Sequence, residues 1–317
     1  MYRIILPRGG TSVGVIIALI SLLVFGHFRY ENFLSFYNVT SFLRYNSMFA
    51  LVSLGMCFVI MTGGIDLSVG SVAALGSVAS ALASPYGASA GLAAGLVAGL
   101  LAGVVSGLLV TQARLLPFIA TLTTMLAASG CALLLAGNQS VAVSYQSGFT
   151  EIGQGDVGPV PMPCLIAAGA YLIGSFVLNF TAFGRTILAV GGGEDAARLM
   201  GLRPDTVKFA AYVCSGGLAG LVGVILASQF GAGQPIEGVG WELIAIASVV
   251  VGGTLLTGGA GSVMATLVGV LLLGTLLNAL NFENGLGWIS LSAYWQSVVR
   301  GLFLLAVVLI QSGIKRS

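Results

Sequence analysis

The residues able to do chemistry are gathered in one stretch. Between Phe183 and Tyr212 the chain places Arg185, Arg198, Arg203 and Lys208 beside Glu194, Asp195 and Asp205, four of its twelve basic and three of its ten acidic residues. Glu194 to Met200 reads as a short helix, with acids at its start, Arg198 near its end, and Gly201 and Pro204 closing it. The chemistry open to such a loop is recognition. It either orients the chain through its charges or docks a second protein, and loop composition does not separate the two. Asp66, in GGIDLSVGS, is the other acid of interest. It caps the helix that follows it or lines a path, where an ionised group at mid-bilayer would cost ~2.5–3.5 kcal/mol.

Other chemistry is missing from the sequence. There is no GxxxxGK[ST] loop for ATP and no HExxH. Cys57, Cys131, Cys164 and Cys214 stand singly in or beside apolar runs, as packing residues rather than metal ligands or a disulfide framework. His27, the only histidine, sits at the end of an apolar run, where an interfacial ring is expected. Intramembrane acids and bases are too few for a proton relay.

The elements that must position these residues are set by the solvent. With 57% hydrophobic residues, 7% charged and a mean hydropathy of +1.04, the chain is an all-α integral membrane protein. A net charge of +2 follows from topology and carries no case for nucleic acid. Ten spans are expected, at Val13 to Phe28 and over 45–62, 68–84, 88–110, 116–136, 161–180, 208–229, 241–256, 262–280 and 293–312. Placing both termini in the cytoplasm puts Arg3, Arg8, Arg114, Arg185, Arg198, Arg203, Lys208, Lys315 and Arg316 inside and only Arg29 and Arg44 outside, which the positive-inside rule selects. Arg300 falls within the last span, either snorkelling to an interface or facing a partner.

Residues 1–317 form one transmembrane domain, with a cytoplasmic loop over 181–207 and the main external loop over 137–163. Gly91, Gly95, Gly99, Gly103 and Gly107 make a close-packing ridge on one helix face. Its partner is a helix of the same chain or of a second subunit, and intrachain contacts are the commoner. Two Gly-rich breaks, GGIDLSVGS from Gly63 and GGTLLTGGAGS from Gly252, interrupt the membrane pattern. Irregular backbone at that depth survives only against protein or a watery cavity, so both are candidates for a translocation path.

Four runs then acquire a joint meaning. FVIMTGGIDLSVGS (from Phe58), LLPFIATLTTM (from Leu115), GRTILAVGGGEDAARLMGL (from Gly184) and GVGWELIAIASVVVGGTLLTGGAGS (from Gly238) resemble the membrane permeases of ribose-type sugar ABC importers, a resemblance that runs from about Leu34 to the end. Gly193, where members commonly carry Asn, and Ala265–Thr266, where they commonly carry Gly-Thr, depart from the pattern without altering charge.

The resemblance implies a bacterial inner-membrane subunit that pairs with an identical or homologous permease, two cytoplasmic ABC ATPase subunits and a periplasmic sugar-binding protein. The chain itself would hold no cofactor or metal, with ATP and Mg bound by the ATPase. Glu194 to Gly201 becomes a coupling helix, with Arg185, Gly191, Gly192, Glu194, Asp195, Ala196, Ala197, Arg198, Gly201 and Pro204 as the coupling residues. Alternating access driven by that helix would open a path for which Asn46, Asp66, Ser68, Ser71, Thr121 and Thr123 supply candidate hydroxyls, amides and an acid. The competing readings are an ion-coupled secondary transporter, a passive channel, or an importer permease for branched-chain amino acids or nucleosides.

Overall fold

A computed structural model describes residues 9–285 together with 295, 298, 301 and 302. Apart from those last four residues, the expected span over 293–312, Arg300 included, lies outside the described residues, as do Arg3, Arg8, Lys315 and Arg316. The helices are α1 (Gly9–Arg29), α2 (Phe36–Met61), α3 (Val69–Ala83), α4 (Ala88–Thr111), α5 (Pro117–Ala136), α6 (Glu151–Gln154), α7 (Met162–Phe180), α8 (Ala182–Gly192), α9 (Glu194–Leu199), α10 (Pro204–Phe230), α11 (Trp241–Val251) and α12 (Val263–Gly285). Among the described residues, seven stretches are long and apolar enough to cross a membrane. The two small ladders pair β1 (Val141–Ala142) with β4 (Ala232–Gly233) and β2 (Asp156–Val157) with β3 (Val160–Pro161), both antiparallel. The chain is an all-α multi-pass membrane protein.

α2 is the central helix. It is buried without interruption from Asn46 to Met61, with α7, α10, α11 and α12 packed around it. It starts nine residues before the expected span, because Ser35 accepts the Asn38 N–H and opens turns in which Asn38, Thr40, Ser41 and Arg44 interrupt the apolar residues. Hydropathy passes over such a turn.

α11 differs more from expectation. The span predicted over 241–256 is a helix of 11 residues, about 16 Å at 1.5 Å per residue, against a hydrocarbon core of ~30 Å. Gly253 (φ 91°) ends it. The following residues, 252–262, are not helical and fold on themselves through Leu255 N–H to Ala260 O (3.2 Å) and Gly258 N–H to Leu255 O (2.9 Å).

The glycine ridge of α4 meets α10 and α3 of the same chain. A Cβ on Gly99 would stand 2.6 Å from Gly220 Cα, and one on Gly216 would stand 2.6 Å from Gly103 Cα. Both helices therefore need glycine there. Backbone-to-backbone contact of this kind gives dispersion and weak C–H···O attraction without the hydrophobic effect, which lipid does not supply.

The loop over 137–163 is ordered against the bundle. The Gly153 N–H donates to Ser228 Oγ (2.6 Å), and that hydroxyl donates to Phe149 O (2.8 Å). Arg44 bridges to Asp156 (2.6 Å) and to Gly153 O (2.9 Å), fastening α2 to the same loop.

Candidate functional site: a charged lever, two helix breaks and a cavity

α8 and α9 fill the loop over 181–207. Thr181 Oγ1 accepts the Gly184 N–H and starts α8, which buries Gly184, Ile187 and Val190 and leaves Arg185 exposed. α9 begins after Gly193 with Glu194 and Asp195 in its first turn, where the helix dipole favours them. Its end is a paired-bond cap: the Gly201 N–H donates to Arg198 O and the Leu202 N–H to Ala197 O, both 3.0 Å, with Gly201 at φ 80°. Pro204 is buried in the first turn of α10.

Charge ties α9 to α10. Arg198 donates to Glu194 Oε1 (3.0 Å) and to Asp205 Oδ1 (3.0 Å), and Lys208 pairs with Glu194. The Lys208 hydrogen bond, followed by that of Arg198, holds the Glu194 carboxyl below the usual carboxylate range. The Arg198 guanidinium is pushed up, first by Glu194 and then by Asp205. Ala197 is buried beneath this network, while Asp195, Ala196 and Arg198 face out. Leu199 is 91% exposed and Met200 67%. Sequence reasoning placed the helix and its acids but did not foresee the pairs to Lys208 and Asp205. The Glu194–Arg198 spacing of four was the available signal.

The two glycine-rich breaks close in the same way. After α2, the Gly63 N–H donates to Ile60 O (2.9 Å) and the Gly64 N–H to Val59 O (3.2 Å). After α11, the Gly253 N–H donates to Val250 O (2.9 Å) and the Thr254 N–H to Val249 O (3.2 Å). Gly63 (φ 83°) and Gly253 (φ 91°) take the left-handed turn in each.

The breaks also touch each other and the lever. The Gly259 N–H donates to Met61 O (3.0 Å). A Cβ on Gly258 would stand 2.7 Å from Gly63 N, and one on Gly259 would stand 2.7 Å from Gly192 Cα. Gly191 lies so close to Met61 O and Gly259 N that a side chain there would overlap both. The residues leading into α9 thus rest on both breaks at backbone distance.

At the other end of α2 lies a cavity of about 530 Å³. Asn38, Tyr45, Asn46 and Phe49 of α2 line it with Asn278 and Asn281 of α12, and Glu237 and Trp241 close a third side. Tyr45, Phe49 and Trp241 form a continuous aromatic corner, with ring centroids 5.3 and 5.0 Å apart. Asn46 donates to Phe42 O (2.9 Å) and is seated against Gly274, whose Cβ would stand 2.7 Å from Asn46 Cγ.

Of the six path candidates, only Asn46 lines this cavity. Asp66 is buried between the first break and α10, accepting from Ser68 N (3.0 Å), Ser68 Oγ (2.6 Å) and Ser215 Oγ (2.7 Å). Thr121 is buried and donates to Pro117 O (2.9 Å). Ser71 is half-buried, and Thr123 is exposed and donates to Ile119 O (2.9 Å). A helical hydroxyl commonly satisfies itself on the carbonyl four residues back, so residue type alone does not place it in a path. The pair Asn278 and Asn281, three apart on a largely apolar helix, was the signal in the sequence for this cavity.

The chain matches the family model described as "Branched-chain amino acid transport system / permease component" over residues 38–308. It is 40% identical over 302 residues to the ribose import permease protein RbsC of Bacillus subtilis, covering 94% of this chain and 92% of that one. It is 37% identical to the RbsC protein of Escherichia coli K12 over 306 residues (94% and 92%). Identity to the L-arabinose transport system permease protein AraH of the same strain is 37% over 280 residues (88% and 83%). No solved structure matches the chain.

Proposed function

The chain belongs to the permease-component family of branched-chain amino acid transport systems, and from that membership and its sugar-permease relatives we propose that it is the membrane subunit of an ABC importer for a monosaccharide. The observation that carries the reading is the lever: a short helix ending in exposed Leu199 and Met200, braced by four charges and joined to Gly191 and Gly192, which rest on both helix breaks. Apolar side chains that stand in water beside fixed charges suit a cleft on a second protein.

In this reading the charged end is cytoplasmic, as are both termini, and α9 sits in an ABC ATPase that binds ATP and Mg. The end with the cavity faces the periplasm and receives cargo from a sugar-binding protein, and a second permease subunit completes the assembly. Closure of the ATPase pair would move α9, and the contact of Gly191–Gly192 with Met61 and Gly259 would pass that motion to α2 and the second break. An ion-coupled carrier is less well supported: the buried carboxylate among the described residues, Asp66, is held by three hydrogen bonds from Ser68 and Ser215.

Proteoliposomes test the reading. D-ribose or L-arabinose should accumulate only when ATP, the ATPase and the binding protein are all present. Accumulation by this chain alone on an ion gradient would overturn it.

A further inference from the structure

We propose that the cavity between α2, α12 and the 237–244 segment is a binding station for a neutral monosaccharide within the permease, from which cargo descends along one face of α2. The proposal rests on the importer reading for the direction of travel; the choice of ligand follows from the lining.

Its volume of about 530 Å³ falls in the range of small-molecule sites, roughly 300–1,000 Å³. Trp241, Phe49 and Tyr45 supply aromatic carbon to the lining; Trp241 and Phe49 are 4% and 5% exposed and held by the core, and Tyr45 is the more open of the three at 39%. In the same lining, Asn38, Asn46 and Asn278 bring amides, each of which can both donate and accept. A sugar presents the complementary pattern of C–H faces for rings and hydroxyls for amides.

Charge decides between cargo classes. Among the described residues the lining holds one carboxylate, Glu237, and no basic side chain. An amino acid zwitterion would bring a carboxylate with no cation to meet it, and an unpaired desolvated charge is strongly disfavoured. A neutral polyol meets no such penalty. The cavity therefore favours the cargo class in the names of the relatives over that in the description of the family.

A second observation marks the way onward. Ser53 lies seven residues beyond Asn46 and four before Cys57, so the three share one face of α2. Ser53 Oγ is fully buried with no hydrogen-bond partner among the described residues. Cys57 Sγ accepts from Thr266 Oγ1 (3.2 Å) and lies 3.9 Å from Thr254 Oγ1, beside the second break. A buried hydroxyl without a partner needs a reason. A route for a polyhydroxylated cargo, closed below the cavity in this conformation, supplies one.

Two measurements test the station. Saturation-transfer NMR on the full chain in lipid nanodiscs should show contact with D-ribose, no contact with L-leucine, and loss of the ribose signal in Trp241→Leu. In proteoliposomes with the ATPase and binding protein, Asn278→Leu should lower sugar uptake about tenfold, one hydrogen bond's worth of transit. Asn278→Gln should recover most of it, and ATPase stimulation by the binding protein should persist in both. If the wild-type complex carries sugar and Asn278→Leu carries it equally well, the station is refuted while the importer reading stands. Should the wild-type complex carry L-leucine and no sugar, the importer's cargo is wrong and the station falls with it.

Discussion

Glycine packs backbone against backbone in two regions of this molecule, for different ends. On α4 and α10, Gly99, Gly103, Gly216 and Gly220 sit inside regular helices and let two long spans lie together over several turns. At the foot of the lever, Gly191, Gly192, Gly258, Gly259 and Gly63 join three chain segments where helices end, three of them (Gly63, Gly258 and Gly259) at positive φ. The first arrangement shares its contact among many hydrogen-bonded residues and resists bending. The second concentrates contact at turns, which absorb backbone rotation more readily than helix interiors. Glycine marks both a weld and a joint, and the secondary structure around it distinguishes them.

Substitutions should separate the two. Gly99→Leu or Gly216→Leu should have the largest effect, since the opposed backbone has no room: overpacking of well-filled contacts costs about 1–3 kcal/mol, occasionally more. Low yield of monodisperse protein and a lowered thermal unfolding midpoint would show it; a variant as stable as wild type would mean the ridge is no weld. Gly259→Val should come next, with insertion retained and ATP-driven uptake reduced about tenfold. Loss of insertion equal to that of Gly99→Leu would erase the distinction between weld and joint.

Glu194→Ala or Arg198→Ala should act more mildly, lowering uptake while membrane insertion stays intact, because exposed ion pairs add little to stability and here set the angle of α9 on α10. Normal uptake in both would remove the network from the mechanism.

The smallest effect concerns pH. The Glu194 carboxyl is held below its usual range by Lys208 and Arg198, so its pairing is complete above the ordinary carboxylate value of about 4.3. It is lost only as pH falls through the depressed folded value. The ratio of wild-type to Glu194→Gln uptake should therefore stay constant between about pH 6 and 8. A ratio that drifts toward one within that window would contradict the pairing.

Much of this was legible from residue order. The short helix at Glu194, its glycine stop at Gly201 and the α4 ridge followed from spacing, because each depends on neighbours within a few positions. The start of α2 at Phe36 was not, since its polar first turns line a cavity that exists only when α12 is beside them. Nor was the brevity of α11, where apolar residues continue past the point at which Gly253 turns the chain.

Sequence alone determined that the protein lives in a bilayer, because hydropathy sums over residues whatever their arrangement. It also determined where charge gathers and that a short helix between Glu194 and Gly201 must stop there. Only the tertiary structure decided that Asn46 faces a cavity while Thr121 and Thr123 turn back on their own helix, and that Met61, Gly191 and Gly259 meet. Helix rotation and contact between distant segments depend on every packed neighbour at once, and no local stretch of chain contains that information.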